Sequence, residues 1–359
     1  MQSDHNHLRS ALLAWYEANK RALPWRESGD PYRVWLSEIM LQQTRVDQAL
    51  PYYHRFIGAY PTVQALARAD LQQVLLCWEG LGYYSRCRNL HKAAQMITHG
   101  DTPRFPDRYE EWIALPGVGP YTAAAISSIC FHEPKAVVDG NVIRVVSRYL
   151  GISSDVRQSS TQKFIQSVVD TWIDPTQPGA FNQAMMELGA TVCTPHKPEC
   201  NRCPLSDHCV AFHTLKVDIL PYKSSKAPIP EHAIVVGIIR NAQGQLLISK
   251  RPANKMLGGL WEFPGGKMEA DETPEQALHR EVWEELGIRV QILRELKTLR
   301  HTYSHFKIQL KAYLCLHTEG TPQAHSSDEI RWIQKSEVLE YPFPKANRLL
   351  TQALLEAEW

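Results

Sequence analysis

The first two thirds of the chain follow a helical pattern of apolar positions. From Ala11 to about Ala211, apolar residues recur at spacings of three and four, as in residues 34–56. Turn signals such as those at 28–31 and 60–62 separate these stretches. The pattern predicts an all-α domain that is built from many short helices.

The pattern changes in the last third of the chain. A stretch rich in Pro, Ser and Lys predicts an interdomain connector over residues 213–231. From Ala233 a strand-like alternation begins, and turn residues interrupt it at 241–244, which predicts a β-hairpin in a mixed α and β domain. We therefore predict a helical domain over residues 1–212 and an α+β domain over residues 232–359.

Composition and charge limit the class of protein without naming a partner. The 359 residues suffice for about two domains with their own cores. The formal net charge is +1, so a nucleic-acid partner would need a local basic face. No apolar run approaches the roughly 18 residues that a membrane span requires. The N-terminal residues lack the apolar stretch of a signal peptide, which predicts a cytoplasmic protein.

A glycine pair directly before a proline is the first candidate site. Gly117, Val118 and Gly119 permit a tight turn, and Pro120 suits the first position of the helix that follows. The exposed N–H groups of such a helix start bind anions, here a DNA phosphate. Farther along, Asp139 lies between an apolar run and a glycine, where buried polar chemistry is common. The alternative is an ordinary helix–turn–helix with a capping aspartate, and these residues alone leave both open.

Two other stretches carry candidate chemistry, each with a structural alternative. Glu38 stands alone among the apolar residues of 36–44, and a partly desolvated glutamate has a raised pKa and can act as a general acid. A solvated helix face is the alternative. Residues 80–86 combine flexible glycines with the ring of Tyr83 and the cation of Arg86, which suits either a distorted nucleic acid or ordinary packing.

Four cysteines near the end of the helical part follow a metal-binding spacing. The spacing is C-x6-C-x2-C-x5-C, at Cys193, Cys200, Cys203 and Cys209. Zinc sites usually show two distant C-x2-C pairs, so this uneven spacing favours an iron–sulfur cluster over zinc. A large chain without an export signal argues against disulfides. The other four cysteines lie at no metal spacing and are predicted to be core residues or free thiols: Cys77, Cys87, Cys130 and Cys315.

With these motifs the helical part resembles the helix–hairpin–helix DNA glycosylases that carry a four-iron, four-sulfur cluster, and among them the MutY-type adenine DNA glycosylases. The resemblance covers the whole helical part, in the order LPWR, SEIMLQQT, GLGYYSR, LPGVGPYTA, DGN and FNQAMMELGA. It implies that a monomeric protein excises adenine opposite 8-oxoguanine or guanine in double-stranded DNA. It also implies that the four spaced cysteines hold a 4Fe–4S cluster.

The resemblance assigns roles to individual residues. Glu38 would protonate adenine at N7, while Asp139 would support the cationic sugar and the attacking water. Asn141 would orient Asp139, and Tyr121 would stack or hydrogen-bond beside the sugar. Arg26 and Gln183 match residues that contact adenine, and Gln43 and Tyr83 match residues that wedge into the duplex. Gly117 and Gly119 match the glycines of the family's hairpin.

Tyr121 separates this chain from related glycosylase–lyases. The similar endonuclease III-like enzymes place a lysine at this position as the Schiff-base nucleophile. Because Tyr121 offers no amine, we predict a monofunctional glycosylase with little strand cleavage.

The C-terminal part carries a motif of glycines and acidic residues that resembles the Nudix box in full. Gly266, Glu272 and the run from Arg280 to Ile288 satisfy G-x5-E-x7-REU-x-EE-x-GU, where U is a bulky aliphatic residue. On a helix the carboxylates share a face that could hold Mg²⁺ with a diphosphate, although a solvated acidic helix is the alternative. The three candidate Mg²⁺ ligands are Glu281, Glu284 and Glu285.

The same part resembles two families at once. It is similar to the MutT-like 8-oxo-dGTP pyrophosphatases, which implies that Asn347 hydrogen-bonds the oxidised base and that Glu329 lies at the position of an additional metal-binding carboxylate. Tyr303, Ser304 and His305 match the MutY-type loop that contacts 8-oxoguanine in DNA. Three hypotheses follow: the domain reads 8-oxoguanine in the duplex, it also hydrolyses 8-oxo-dGTP with Mg²⁺, or it keeps the box only as structure.

Overall fold

The computed structural model describes residues 2–99, 104–225, 228–303 and 305–358, and side chains from residue 5 onward. Ser304, which we predict to contact 8-oxoguanine, lies outside the described residues. Within these ranges, no helix is long and apolar enough to cross a membrane.

The chain is helical up to residue 213, as its apolar spacing predicts. Its helices, numbered α1 to α12, are Gln2–Asn19, Pro31–Leu41, Val46–Ala59, Val63–Arg68, Leu71–Trp78, Tyr84–Ile97, Tyr109–Ile113, Pro120–Phe131, Gly140–Leu150, Ser159–Trp172, Pro178–Thr191 and Val210–His213. Among the described residues, strands begin only beyond residue 230, so the predicted fold class, an all-α part followed by an α+β part, is confirmed.

By packing, the chain divides into two compact units. The first consists of Met1–Val46, Thr62–Ala67 and Lys92–Lys226, and the second of Asp47–Pro61, Arg68–His91 and Ala227–Trp359. Two helical segments that belong to the predicted domain 1–212 by sequence pattern therefore pack with the C-terminal part. The domain boundaries that we derived from the sequence stay a prediction.

The core of the first unit lies between α1, α9, α10 and α11. Buried side chains from all four helices form one cluster, among them Leu12, Val146, Val169 and Phe181, each with no exposed surface. The helix α9 begins and ends at residues suited to those positions, with Asp139 as its N-cap and Gly151 at φ +69° after its last residue. This packing fixes the start of α9, where Asp139 lies.

The predicted glycine turn, Gly117–Gly119, lies between α7 and α8. Gly117 adopts φ +77°, a conformation that favours glycine, and Gly119 is the N-cap of α8 with Pro120 at its first turn. The Val118 amide donates to the Leu115 carbonyl at 3.2 Å and closes the turn. A buried Val118 anchors the turn, while Gly117 is exposed.

A sheet of seven described strands forms the centre of the second unit. The strands, numbered β1 to β7, are Glu231–Arg240, Leu246–Lys250, Trp261–Glu262, Gly265–Lys267, Arg289–Thr302, Lys307–Glu319 and Glu329–Ile333. Their order is β3-β2-β1-β6-β5, with β4 paired to β1 and β7 paired to β2. Only β1 and β6 among these paired strands run parallel. The β-hairpin that the sequence predicts around residues 241–244 consists of β1, β2 and the turn that connects them.

Alternate residues of β1 face two different cores. Val236 and Ile238 pack on the face covered by a helix that we number α14, Lys345–Glu356. Val235 and Ile239 pack on the opposite face, under the Nudix-box helix α13, Pro274–Leu286. This alternation follows from the two-residue period of a strand and places both helices against the sheet.

Candidate functional site

Glu38 lies near the C-terminal end of α2 and is almost completely buried, with 6% of its surface exposed. Burial raises its pKa to about 7, and the charge of nearby Asp139 adds to the effect, while a hydrogen bond from Tyr121 opposes it. Its Oε2 atom has no hydrogen-bond partner within the described part of the chain. Glu38 is therefore a buried carboxyl group that can hold a proton near neutral pH and has one oxygen free for a substrate.

Asp139 is fixed by the backbone that it caps. Its Oδ1 accepts hydrogen bonds from the Asn141 and Val142 amides at 2.9 Å and 2.7 Å, and its Oδ2 accepts one from Asn141 Nδ2 at 2.8 Å. Burial raises its pKa, while these three donors and the Arg144 cation oppose the rise. The side chain is thus held in one orientation beside the Glu38 carboxyl group.

Arg144 holds Asn141 from the other side. Its Nη2 donates to Asn141 Oδ1 at 2.8 Å and to the Gly189 carbonyl at 2.7 Å, and its Nε donates to the Cys193 carbonyl at 2.6 Å. A Cβ atom at Gly189 would lie 2.5 Å from Asn141 Cβ, so glycine is required for this approach of α11 to α9. Arg144 and Gly189 were not among the candidates predicted from the sequence, because their roles depend on contacts between separate helices.

Tyr121 lies between the two carboxyl groups and α11. Its hydroxyl hydrogen-bonds Glu38 and lies 3.3 Å from Met186 Sδ. Burial and the neighbouring charges of Glu38 and Asp139 raise its pKa well above the usual value, so the phenol stays protonated. The side chain gives the site a neutral hydrogen-bond donor where a lysine would give an amine.

Arg26 contacts α11, and Gln183, which lies in α11, contacts α1. Arg26 Nη2 donates to Glu187 Oε2 at 2.8 Å, and Arg21 Nε donates to Glu187 Oε1 at 2.6 Å. Burial would raise the pKa of Glu187, but these hydrogen bonds lower it to about 2. The Oε1 atom of Gln183 accepts a hydrogen bond from the Tyr16 hydroxyl at 3.1 Å. Arg26 is thereby anchored by a buried carboxylate that sequence reasoning missed.

The two predicted wedge residues both adopt a left-handed backbone conformation. Gln43 has φ +59° and Tyr83 has φ +49°, values that side-chain-bearing residues rarely adopt. Gln43 follows α2, and Tyr83 lies in the turn before α6. The Arg86 guanidinium lies 5.1 Å above the Tyr83 ring. Such strained positions are enriched at functional sites.

The four spaced cysteines lie around one cavity, which Arg148 also lines. Arg148 Nη1 lies 3.4 Å from Cys193 Sγ and donates to the Thr194 carbonyl at 2.7 Å. Burial and the neighbouring thiols raise the pKa of Cys203 to about 12, and none of the eight cysteines forms a disulfide. Soft thiolate donors with amides and a buried cation nearby fit an iron–sulfur group. Nevertheless, no group of three His, Cys, Asp or Glu in the described residues is arranged to hold a single metal ion.

A cavity of about 500 Å³ opens in the second unit. Tyr303 and Asn347 line it, together with Arg251, Glu262 and the backbone of 265–267. The Tyr303 ring stacks on Phe306 with centroids 4.9 Å apart, and Asn347 Oδ1 accepts a hydrogen bond from the Phe263 amide at 3.2 Å. His305 is exposed and is not among the lining residues. The structure thus brings together two of the described base-reading candidates and leaves the third outside.

One carboxylate of the Nudix box, Glu285, lines this cavity. Glu285 Oε2 accepts a hydrogen bond from the Gly265 amide at 3.0 Å, and burial raises its pKa to about 7. A Cβ atom at Gly266 would lie 2.2 Å from Glu281 Oε2, so the glycine leaves room for this carboxylate to lie directly against the strand. The Glu284 side chain is 58% exposed. A Mg²⁺ site at Glu281, Glu284 and Glu285 stays a prediction.

Arg280 organises the acidic helix. Its Nε donates to Glu272 Oε1 at 2.6 Å, and its Nη1 donates to Glu281 at 3.0 Å and to Glu284 at 3.2 Å. The hydrogen bond from Arg280 lowers the pKa of Glu272 to about 2. Arg280 and Glu272, the first glutamate of the box, therefore together hold the helix against the backbone of residues 265–267. Glu329 lies elsewhere, in β7, and binds Arg331 and Lys250.

Comparisons with known proteins agree with both parts of the chain. Residues 36–171 match a family described as HhH-GPD superfamily base excision DNA repair protein, and residues 235–353 match the NUDIX domain. The adenine DNA glycosylase of Homo sapiens is 35% identical over 92% of this chain and 70% of its own length. That of Buchnera aphidicola subsp. Acyrthosiphon pisum is 35% identical over 84% of this chain and 85% of its own length. A solved thermostable thymine-DNA glycosylase, 25% identical, covers 59% of this chain and 98% of its own with a TM-score of 0.53.

These matches confirm the predicted relationship for the helical part and the Nudix fold for the C-terminal part. A DNA substrate and, in general terms, an iron–sulfur cofactor are consistent with them. The chain belongs to the adenine DNA glycosylase family and is a DNA repair hydrolase that acts on N-glycosidic bonds.

Proposed function

We propose that the enzyme hydrolyses the N-glycosidic bond of adenine that is mispaired with 8-oxoguanine or guanine in double-stranded DNA. The observation that carries the proposal is the pair of neighbouring carboxyl groups, the buried Glu38 and the half-buried Asp139, in two different electrostatic environments. Cleavage of a glycosidic bond needs an acid for the leaving group and an anion for the oxocarbenium-like sugar. Two carboxyl groups whose surroundings separate their roles meet that need.

Glu38 would be the acid. With a pKa of about 7 it is about half protonated at neutral pH, and its Oε2 has no described protein partner. A flipped adenine could accept the proton at N7 from this atom. The charge on the departing base is thereby neutralised.

Asp139 would stabilise the positive sugar and orient the attacking water. Three donors, the amides of Asn141 and Val142 and the side chain of Asn141, fix its two oxygens. An anion held by such fixed donors needs no rearrangement as positive charge develops on the sugar. Arg144 keeps Asn141 in place, so Asn141 is a positioning residue for Asp139.

Tyr121 supports a monofunctional reaction. A Schiff base with the sugar aldehyde needs an amine, and Tyr121 offers a protonated phenol that is already bonded to Glu38. Arg26 and Gln183 would contact the adenine edge. The strained Gln43 and Tyr83 would wedge into the duplex, with the Gly117–Gly119 hairpin on a phosphate.

The four cysteines would hold a 4Fe–4S cluster. When bound, the cluster would fix the 193–209 loop at thiolate ligands and leave the acid–base chemistry to the carboxyl groups. Arg148 and Arg144 bind carbonyls at the start of this loop, those of Thr194 and Cys193, and so join it to α9. Monomeric state and cytoplasmic localisation stay predictions.

The cavity of the second unit would read 8-oxoguanine opposite the adenine. Its size suits a nucleobase, and Tyr303 and Asn347 offer a stacking ring and an amide beside each other. His305 is exposed and lies outside the cavity lining, so it would contact the backbone or the base of bound DNA from outside the cavity.

The Asp139→Asn variant tests the proposal. We expect adenine release from an A:8-oxoguanine duplex to fall at least about 10³-fold, because the fixed anion is lost, while the duplex still binds. Single-turnover kinetics and a gel-shift titration measure the two properties. The matched control is Asp70→Asn, because the Asp70 carboxylate caps α5 by accepting hydrogen bonds from two backbone amides, as Asp139 does in α9. Turnover like that of the wild type in Asp139→Asn would refute the assigned role.

A second candidate function is Mg²⁺-dependent hydrolysis of 8-oxo-dGTP in the same cavity. The observation that favours it is the complete carboxylate set, with Glu281 against Gly266 and Glu285 bound to the Gly265 amide. We expect the purified chain to release pyrophosphate from 8-oxo-dGTP in the presence of Mg²⁺. The Glu284→Gln variant should lose about 10²-fold of this activity. If the wild type and the variant do not differ, the domain is a reader alone.

A further inference from the structure

One rim of the cavity in the second unit is held by helices that belong to the glycosylase sequence. Residues 71–91, which we call the α5–α6 hairpin, both donate hydrogen bonds to the loop at residues 251–261 and accept hydrogen bonds from it. Arg88 Nη1 donates to the Gly258 carbonyl at 2.5 Å. Gln72 Nε2 donates to the Gly259 carbonyl at 3.3 Å, and Gln72 Oε1 accepts from Trp261 Nε1 at 2.9 Å. This loop supplies Arg251, Met256 and Leu257 to the cavity wall.

The same hairpin holds the opposite rim, at residues 341–348. Arg348 donates from Nε and Nη2 to the two carboxylate oxygens of Glu79, with the Nη2–Oε2 distance 2.6 Å. Arg348 Nη2 also donates to the Tyr341 carbonyl at 2.6 Å. The side chains of Arg348 and Glu79 are 17% and 14% exposed, so water screens the pair weakly. Asn347, the amide that faces the cavity, is the residue next to Arg348.

The hairpin also carries the strained turn with Tyr83. Glu79 is the C-cap of α5, four residues before Tyr83. The Tyr84 hydroxyl donates to the Phe343 carbonyl at 3.4 Å and lies 3.4 Å from the Gly80 amide, which donates to it. Trp78 Nε1 and Arg86 Nη2 donate to the Gly82 carbonyl at 3.0 Å and 3.2 Å. One rigid element therefore links both cavity rims to the turn that precedes α6.

We propose that the α5–α6 hairpin positions the cavity that reads 8-oxoguanine, and that the Glu79–Arg348 pair is the main joint between the cavity and the Tyr83 turn. The inference rests on the proposed function, because it concerns the selectivity of adenine release for 8-oxoguanine over guanine. An oxidised base in the cavity contacts the 341–348 rim, and Glu79 and Tyr84 transmit the position of that rim to the wedge. Glu79, Arg348 and Gln72 are positioning residues and touch no reacting atom.

The test uses the full chain and the variants Glu79→Gln, Arg348→Met and the double variant. Single-turnover adenine release is measured from A:8-oxoguanine and A:G duplexes, and the affinity for free 8-oxo-dGMP is measured by titration. We expect the ratio of the two release rates to fall at least about tenfold in each single variant and no further in the double variant, because all three lack the same pair. Arg348→Lys keeps one charge contact and should recover part of the ratio.

The control breaks an exposed ion pair of the same unit. Arg289→Met removes the contact with Glu319, in which both side chains are at least 70% exposed, and should leave the ratio unchanged. If a variant at the joint fails to fold, Gln72→Ala tests the other rim with the same expected loss. A ratio that is unchanged in the folded variants, or equal losses on both duplexes, would overturn the proposal. A wild type that shows no preference for A:8-oxoguanine and no affinity for 8-oxo-dGMP would instead overturn the proposed function.

Discussion

Two glutamates in the helical part are both buried and yet differ in protonation. Glu38 in α2 is 6% exposed and Glu187 in α11 is 0% exposed, but their pKa values are about 7 and about 2. Burial disfavours the charged form of both. Glu187 receives hydrogen bonds from Arg21 and Arg26, whereas Glu38 receives one from the neutral Tyr121 and faces the like charge of Asp139. Fixed cations, rather than burial, therefore decide which buried carboxyl group keeps its proton.

The same difference separates the proposed catalytic group from a structural one. Glu38 carries an unfavourable charge whenever it ionises, so its position weakens the fold above its pKa. Glu187 is stable only as an anion, and it fixes Arg26 beside the site. Natural active sites often hold such uncompensated groups at a cost in stability. The contrast predicts that the two glutamates respond in opposite ways to the same substitution.

The largest expected effect is at Glu38. Glu38→Gln should lower adenine release at least about 10³-fold, because an amide cannot protonate the base. In the wild type the rate should fall as pH rises through about 7, since only the protonated form is the acid. Single-turnover rates from pH 5 to 9, a range of about four units around that pKa, check this. Glu17→Gln, at a side chain that is 74% exposed, is the control.

The same variant should be more stable than the wild type at high pH. A carboxyl group whose folded pKa lies above its unfolded pKa binds more protons in the folded state, so stability falls as pH rises from about 4.5 to about 7. Glu38→Gln removes this loss, which amounts to about 3 kcal/mol. Equal unfolding free energies of variant and wild type at pH 8, roughly one unit above the pKa, would contradict the uncompensated burial of Glu38.

Glu187→Gln should have the opposite effect on stability. The folded pKa of about 2 lies below the usual value, so the stabilisation is fully present above about pH 4.5 and is lost as pH falls through about 2. At neutral pH the substitution should cost about 3 kcal/mol, because it leaves two arginines without their carboxylate. Denaturant unfolding at pH 7 measures the cost. The exposed pair of Arg202 and Glu199 provides the control, since Glu199→Gln should cost less than about 1 kcal/mol.

The sequence allowed the fold class and the two carboxyl groups of the candidate site to be predicted, because both leave local signals. Apolar spacing predicted the helices, and the DGN and SE motifs identified Asp139 and Glu38. The partners that set their protonation could not be predicted in this way. Glu187 meets Arg21 across 166 residues, and Gly189 is required by a contact with Asn141 in another helix. Likewise, no local pattern indicated that residues 68–91 pack with the C-terminal part.

The smallest expected effect concerns Arg26, which the two glutamates share. Arg26 is hydrogen-bonded to Glu187, but its charge also lowers the pKa of Glu38, as the weakest of the four influences on that group. Arg26→Met should therefore raise the pKa of Glu38 and shift the midpoint of the pH–rate profile upward by less than about one unit. The midpoint is independent of any loss in maximal rate from weaker adenine contact, so the profile isolates the electrostatic effect.

Arg33→Met is the matched control for this shift. Arg33 is also an arginine near the start of α2, but it pairs with Asp30 at 3.7 Å and is not among the influences on Glu38. Its removal should leave the midpoint in place. A midpoint that moves downward in Arg26→Met would contradict the direction of the Arg26 effect on Glu38. A midpoint that stays where it is would mean that Glu187 neutralises Arg26 completely as seen from Glu38. In that case the proton on Glu38 would be governed by burial, Tyr121 and Asp139 alone.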